Sequence, residues 1–457
     1  MEKYNRIYIF FLVVALLIWN PFSFYLFYSG TGINTSKILL TIIAIIFFSG
    51  FTAILLIRRN KIGERFKNIT LFFSFMGILY SAAVLSDRII GKAYDKKVKK
   101  EVGLVGLPNT SAKCKTIEYD VVHHFNNIGI CDRDVKVQKD KYRVLCIGDS
   151  WTMGEGVNVE NSWPKKLEIF LQKKGLNIEV LNCGQAGMYP TGYRGVICKA
   201  LPLLKPDLVI VGVLQFEDLA QEYEFNYEIP GSVNVPAPVF ERIRFAVGQF
   251  IHFSFINYIE IFRSRKTSML DISGIWANDV KDMLQHANQL QKLRYACYED
   301  SIQQLMQNGN FNSVLVNYYM NFPERKFIFN NPHNRATVFA ANQLLKDVQA
   351  MRTTCDSFHC KMVFVNLPFP DFTGHDVFRI PELDKFDIYF VFNNHIDSIY
   401  RSVAERVDVP YIELTQKFKS LKDKKAYFYR YDNHPNVQGY EEIAKTVSDS
   451  IVQYINH

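Results

Sequence analysis

The sequence predicts an α/β protein: a parallel sheet covered by helices on both faces, interrupted by a helical insertion and preceded by apolar N-terminal segments. Three observations carry this. From residue 142 onward, short apolar runs that end in glycine-rich or polar turns alternate with stretches of helical periodicity, the pattern of a parallel sheet with crossover helices. Between about 220 and 335 that alternation lapses into Tyr-, Phe-, Asn- and Gln-rich sequence. The first 86 of the 457 residues hold three long apolar runs.

Taken in chain order, the runs at about 7–28 and 37–57 reach the roughly 20 apolar residues that a membrane-spanning helix needs, and 69–86 only just does. Asn20-Pro21 breaks the first run, which helix bundles tolerate. That run also exceeds the roughly 7–15 residues of a signal-peptide core. The expectation is therefore a transmembrane region of three helices over residues 1–86. Arg58, Arg59, Lys61, Arg65 and Lys67 favour a cytoplasmic second loop. Arg88, Lys92, Lys96, Lys97, Lys99 and Lys100 pull the other way, so charge alone leaves the orientation near a tie.

All eight cysteines (114, 131, 146, 183, 198, 297, 355 and 360) follow the apolar runs. An even count in one region suits an oxidising compartment, with Cys355–Cys360 and Cys114–Cys131 as candidate disulfides and Cys146 a buried thiol. The expected location is the cytoplasmic (inner) membrane, multi-pass, with the bilayer as partner and the remaining chain periplasmic or extracellular. No Cys-x-x-Cys pair occurs, so no metal is expected, and no cofactor either. The net charge of +8 is modest and partly beside the apolar runs, which argues against nucleic acid.

Residues 87–141 are polar and lysine-rich and predict a stalk and lead-in segment. The domain proper is expected over 142–457. Strands are predicted at 144–147, 178–181, 208–214, 362–367 and 410–414. Helices are predicted at 162–174, 192–204, 335–354, 392–407 and 440–454. Amphipathic stretches at 239–262 and 280–306 mark the insertion as a helical cap.

The strand at 144–147 stops at Gly148-Asp149-Ser150 and runs into a glycine-punctuated turn. In an open α/β sheet the carboxyl ends of strands are where ligands bind. A serine there stands in the open near unpaired backbone N–H groups, as nucleophilic acyl chemistry requires. His434 is the natural general base, and Asp432, two residues earlier, could orient its ring. Pro435 would fix the histidine at a helix start. Each of these is also an ordinary turn or capping residue; together they form a constellation.

Gly148-Asp149-Ser150, then Asn182-x-Gly-x-x-Gly187, then a strand ending in an acidic pair, then Asp432-x-His434, resemble in order and spacing the SGNH (GDSL-type) hydrolases. Residues 125–134, followed by Lys141-Tyr-Arg-Val, resemble the lead-in of membrane-anchored and secreted bacterial members. The resemblance implies a three-layer, flavodoxin-like domain with Ser150 as nucleophile, His434 as base and Asp432 as its partner. The Ser150 and Gly187 N–H groups would form the oxyanion hole, and a side chain at 187 would crowd the oxyanion.

Two departures stand out. The family's third block ends in Gly-x-Asn-Asp, whose Asn donates to the oxyanion; here Gln215-Phe-Glu-Asp218 places Glu217 at that position. An ionised carboxylate only accepts hydrogen bonds. Gln215, on the same strand face, is the candidate replacement donor. The second departure is Asp-x-His in place of Asp-x-x-His.

The implied function is a membrane-anchored serine esterase or O-acyltransferase, of acetyl groups, acting on an extracytoplasmic glycan or another acylated envelope substrate. A membrane acyl-transfer partner goes with the transferase form. A non-catalytic SGNH-like binding or scaffold domain competes, on the strength of Glu217. A lipase is a third reading, motivated by closeness to a bilayer.

Overall fold

A computed structural model describes residues 103–226, 269–321, 325–370 and 395–455. The sheet at its centre has five parallel strands: β3 (Tyr142–Gly148), β4 (Ile178–Gly184), β5 (Leu208–Leu214), β7 (Lys361–Leu367) and β8 (Tyr411–Glu413), in the spatial order β4-β3-β5-β7-β8. The four long strands are buried almost throughout, which is why they read as continuous apolar runs rather than alternating ones. Strand order reverses at β3. That reversal is the topological switch point where open α/β sheets place their ligands.

Helices close both faces. On one, α2 (Trp163–Lys173) packs with the closing helix α13 (Val437–Ile455). On the other, α3 (Pro190–Leu204), α4 (Glu217–Asn226), α10 (Arg335–Ser357) and α11 (His395–Val407) pack together. This is the expected parallel sheet between helical layers. Pro190 opens α3, where its missing N–H costs nothing. Asn334 caps α10 by accepting the Ala336 N–H at 2.9 Å.

The lead-in segment holds structure that its composition hides. Strands β1 (Thr110–Lys115) and β2 (Asp120–Phe125) form an antiparallel hairpin, and β6 (Met269–Asp271), from the insertion, pairs with β1 in parallel. Only a small cluster of Cys114, Tyr119, Val121 and Trp276 lies beneath this sheet, so the alternation that would announce strands is weak. The described part of the insertion continues as α5 (Ile272–His286), α6 (Gln289–Ala296), α7 (Asp300–Gln307), α8 (Ser313–Asn321) and α9 (Arg325–Asn330). These helices carry a second small core that includes Val280, Ile302, Met306 and Phe311. The described part of the insertion is thus one short strand followed by helices.

Two expectations are corrected. The three apolar runs at about 7–28, 37–57 and 69–86, like the amphipathic stretch at 239–262, lie outside the described residues. Among the described residues no helix is long and apolar enough to cross a membrane. The longest, α10, has 23 residues but carries Lys346, Asp347, Arg352 and Asp356. Membrane anchoring, the bilayer and membrane acyl-transfer partners and the multi-pass inner-membrane location are therefore not carried further.

The disulfides do not form either: all eight cysteines are free thiols. Cys114 instead lies 3.8 Å from the Tyr119 hydroxyl in the hairpin core, and Cys355 and Cys360 interact as thiols across their turn. The argument for an oxidising compartment falls with them.

Candidate active site

Strand β3 ends where backbone must approach backbone. A Cβ on Gly148 would lie 2.1 Å from Thr152 Oγ1 and 2.7 Å from Gly212 O, so only glycine fits between α1 (Ser150–Met153) and β5. Asp149 caps this short helix, accepting the Trp151 N–H at 2.9 Å. Ser150 is its first residue and is half-buried. Its own N–H belongs to the helix-start donors that no intrahelical carbonyl uses.

A folded-back loop brings the far end of the chain to this serine. Phe428 and Pro435 form a bridge, and the Tyr429 N–H donates to His434 O at 2.9 Å. At the tip Asn433 adopts φ 65°, a left-handed conformation that asparagine tolerates. That reversal turns Asp432 and His434 toward each other despite their separation of only two residues. His434 Nδ1 lies 3.0 Å from Asp432 Oδ2, and His434 Nε2 lies 2.8 Å from Ser150 Oγ. With Nδ1–H donated to the carboxylate, Nε2 accepts the serine hydroxyl. The shorter Asp-x-His spacing is thus matched to a left-handed residue between its ends. Pro435 stands outside the helix rather than at its start: α13 begins at Val437, and Asn436 caps it by accepting the Gln438 and Gly439 N–H groups.

Burial dominates the electrostatics. For His434, burial opposes the charged ring, but the charge and hydrogen bond of Asp432, aided by Glu155 and Asp149, raise its pKa to about 9. Burial pushes the Asp149 carboxyl up to about 7, with His434 pulling it back. Burial also raises Glu155, against His123 and His434. A Ser–His hydrogen bond at the carboxyl end of the strand where sheet order reverses is a serine-hydrolase-type arrangement.

The oxyanion residues divide. Gly187 sits on an exposed turn closed by the Met188 N–H donating to Gln185 O. A Cβ there would meet nothing within 4 Å, and glycine is required instead by φ +72°. The amide of Gln215 is occupied elsewhere. Its Nε2 donates to Asp397 Oδ1 and its Oε1 accepts the Phe369 N–H at 3.1 Å. This ties β5 to the β7 end and α11, so the structure does not bring that side chain to Ser150. Glu217 opens α4, is 9% exposed and acts electrostatically on Asp149. Asp218 turns inward, accepting the Leu214 N–H at 3.0 Å and the Tyr193 hydroxyl at 2.9 Å.

Several residues at the site were not singled out by the sequence. Tyr119 donates to Asp432 Oδ2 at 2.8 Å, and Glu118 accepts the backbone N–H groups of Arg430, Tyr431 and Asp432 at 2.6–3.2 Å. His123 Nε2 lies 3.1 Å from the carbonyls of both Gly154 and Val157, in the turn after α1. Trp151 packs on His434 with centroids 6.1 Å apart. The lead-in resemblance at 125–134 marked the neighbourhood but not these side chains.

No group of three or more His, Cys, Asp or Glu among the described residues could hold a metal ion. A cavity of about 310 Å³, lined by Arg352, His359, Lys361 and Pro410 among others, lies at the amino ends of β7 and β8, away from Ser150.

No family model and no curated protein matches the chain. Similar solved structures include a psychrotrophic esterase from Pseudoalteromonas sp., inhibited by monoethylphosphonate (11% identity, 69% of this chain and 100% of that one, TM-score 0.32). Another is an acetyl-xylooligosaccharide esterase mutant from Geobacillus Stearmophilus (12%, 70% and 97%, TM-score 0.33). A third is a lipase/acylhydrolase from Enterococcus faecalis (11%, 68% and 94%, TM-score 0.33). At these identities and TM-scores the likeness carries no argument about chemistry, which rests on the site itself.

Proposed function

We propose that this protein is a serine esterase or O-acyltransferase that works through an acyl-enzyme on Ser150. The observation that carries the reading is the continuous path from Ser150 Oγ through His434 to Asp432, at 2.8 and 3.0 Å. Ser150 Oγ attacks the ester carbonyl while His434 Nε2 takes its proton, and buried Asp432 stabilises the imidazolium. The oxyanion donors in this reading are the Ser150 and Gly187 N–H groups. As the tetrahedral adduct collapses, the histidine returns the proton to the departing alcohol. Water or a second hydroxyl then attacks the acyl-serine by the same proton route.

The acyl group is small in this reading. Trp151 is 2% exposed and packs against Phe369 and Phe428 at 6.4 and 5.9 Å. This ring cluster, which also packs on His434, supports acetyl over a long chain and weighs against a lipase. For the alcohol, the motif resemblance supports a glycan hydroxyl.

An active-site-directed fluorophosphonate labels the wild type and not Ser150→Ala if the reading holds. Failure to label folded wild type sinks it. Free acetate against acetylated acceptor, measured with both water and a glycan present, separates hydrolysis from transfer. A non-catalytic binding domain is the second reading, favoured by Glu217 standing where an oxyanion donor is expected, and the same labelling experiment decides between the two.

A further inference from the structure

We propose that Tyr119 and Glu118, in the turn of the lead-in hairpin, are positioning residues for the acid–base pair: Tyr119 tunes His434 through Asp432, and Glu118 holds the loop that carries both. The proposal rests on the reading of Ser150, His434 and Asp432 as a working triad.

The geometry is specific. Asp432 Oδ2 accepts from both His434 Nδ1 and the Tyr119 hydroxyl, at 3.0 and 2.8 Å, while its other oxygen has Asn312 Nδ2 at 3.4 Å. One carboxylate oxygen therefore divides its charge between the ring it orients and a phenol 313 residues away in sequence. Toward Asp432 the Tyr119 hydroxyl can only donate, because burial holds it protonated far above its ordinary range, while its oxygen accepts from Cys114 Sγ at 3.8 Å. Every increment of charge spent on the phenol is withdrawn from the imidazolium.

Glu118 acts differently. Its two oxygens collect three consecutive backbone N–H groups, those of Arg430, Tyr431 and Asp432. These donors would otherwise be unsatisfied at the bend that presents the acid. The carboxylate thus does for this loop what a capping side chain does for a helix end.

Asp432, Glu155 and Asp149 face His434. Around Asp432 stand Tyr119, Glu118 and Cys114 from the hairpin, Glu155 from the turn after α1, Tyr429 from its own loop and Tyr440 from α13. Among them, Tyr119 donates to the oxygen that also binds His434.

The test is an NMR titration of ¹⁵N-histidine-labelled full chain, assigned by His434→Gln, with the pH profile of kcat/KM on p-nitrophenyl acetate alongside. Tyr119→Phe removes the competing donor. The His434 midpoint, and with it the ascending limb of the profile, should rise by on the order of one pH unit, since hydrogen bonds to charged groups carry that much differential energy. 3-Fluorotyrosine at 119, a stronger donor, should move both down, and it serves if the phenylalanine variant fails to fold. Glu118→Gln should lower kcat at every pH without moving the limb.

An unmoved His434 midpoint in both Tyr119 variants overturns the role of Tyr119. Unchanged kcat in Glu118→Gln overturns that of Glu118. The ring titration needs no turnover, so a wild type that fluorophosphonate does not label overturns the esterase reading without obscuring the result for Tyr119.

Discussion

Asp132 Oδ2 accepts the backbone N–H of Asn182 at 2.9 Å, tying the lead-in segment to the strand that flanks the nucleophile. Lys165 Nζ, 3.1 Å from Asp132 and 2.7 Å from Glu168, neutralises the pair beneath β4. Asn182 in turn donates to Met153 O at 3.0 Å, at the end of the helix that Ser150 begins. The lead-in thus supports the serine from below while its hairpin supports the acid loop from the side.

Asp132→Ala should therefore destabilise the fold. It leaves the buried Lys165 with Glu168 and the Val180 carbonyl but one carboxylate fewer, and takes the acceptor from the Asn182 N–H. The expected loss is on the order of 3 kcal/mol, read as a lowered urea midpoint, while Asp132→Asn should recover part of it.

The pH dependence of activity follows from His434. The ring must be neutral to take the serine proton, and its pKa is raised to about 9. Turnover on a neutral ester should accordingly climb through the alkaline range. Asp432→Asn removes the charge that holds the proton, so the limb should fall to lower pH while kcat drops on the order of 10³–10⁴-fold.

Stability carries the opposite sign. His434 binds its proton more tightly folded than unfolded, so its contribution is fully present below its ordinary 6.5 and is lost as pH rises through about 9. Asp432→Asn should thus cost more stability at about pH 6 than at about pH 10. Denaturation at the two pH values checks this, and an equal cost at both would contradict it.

Glu217→Asn should raise kcat. It replaces a buried carboxylate beside Asp149 with a side chain able to donate to an oxyanion. One such donor is worth about 10²–10³ in rate when well placed, so a gain on the order of tenfold is expected, with KM little changed.

Gln215→Ala should behave as a stability variant. Its loss leaves the Phe369 N–H without that acceptor and Asp397 without one donor, costing about 1–3 kcal/mol. A thermal melt compared with kcat/KM separates this from a selective loss of turnover, which would instead point to an oxyanion role.

Much of the fold was legible because the central strands are buried on both faces and so appear as apolar blocks at nearly their observed limits. The Ser150, Asp432 and His434 constellation was legible for a different reason: a strand that stops at Gly148-Asp149-Ser150 and a late Asp432-x-His434 pair stand in a recognisable order of motif blocks. The hairpin was not, since Thr110–Lys115 and Asp120–Phe125 bury too little to show a period of two. Tyr119 and Glu118 were invisible because their partners lie more than 300 residues away, and nothing local marks a hydrogen bond of that range. For Gln215, strand-face arithmetic places a side chain near a site but cannot tell that its amide bonds Asp397 and the Phe369 N–H.

The meeting of Ser150 with His434, 284 residues later in the chain, has a consequence for the order in which the protein comes into being. As the chain emerges during synthesis, the serine, its strand and its helix cap are complete long before the loop that activates it exists. Closing so wide a span costs little more entropy than closing a moderate one, but the closure comes last. Until then Ser150 is an ordinary alcohol with no histidine to take its proton. Reactivity arrives only once α13 has docked, so it reports that nearly the whole sheet has been assembled.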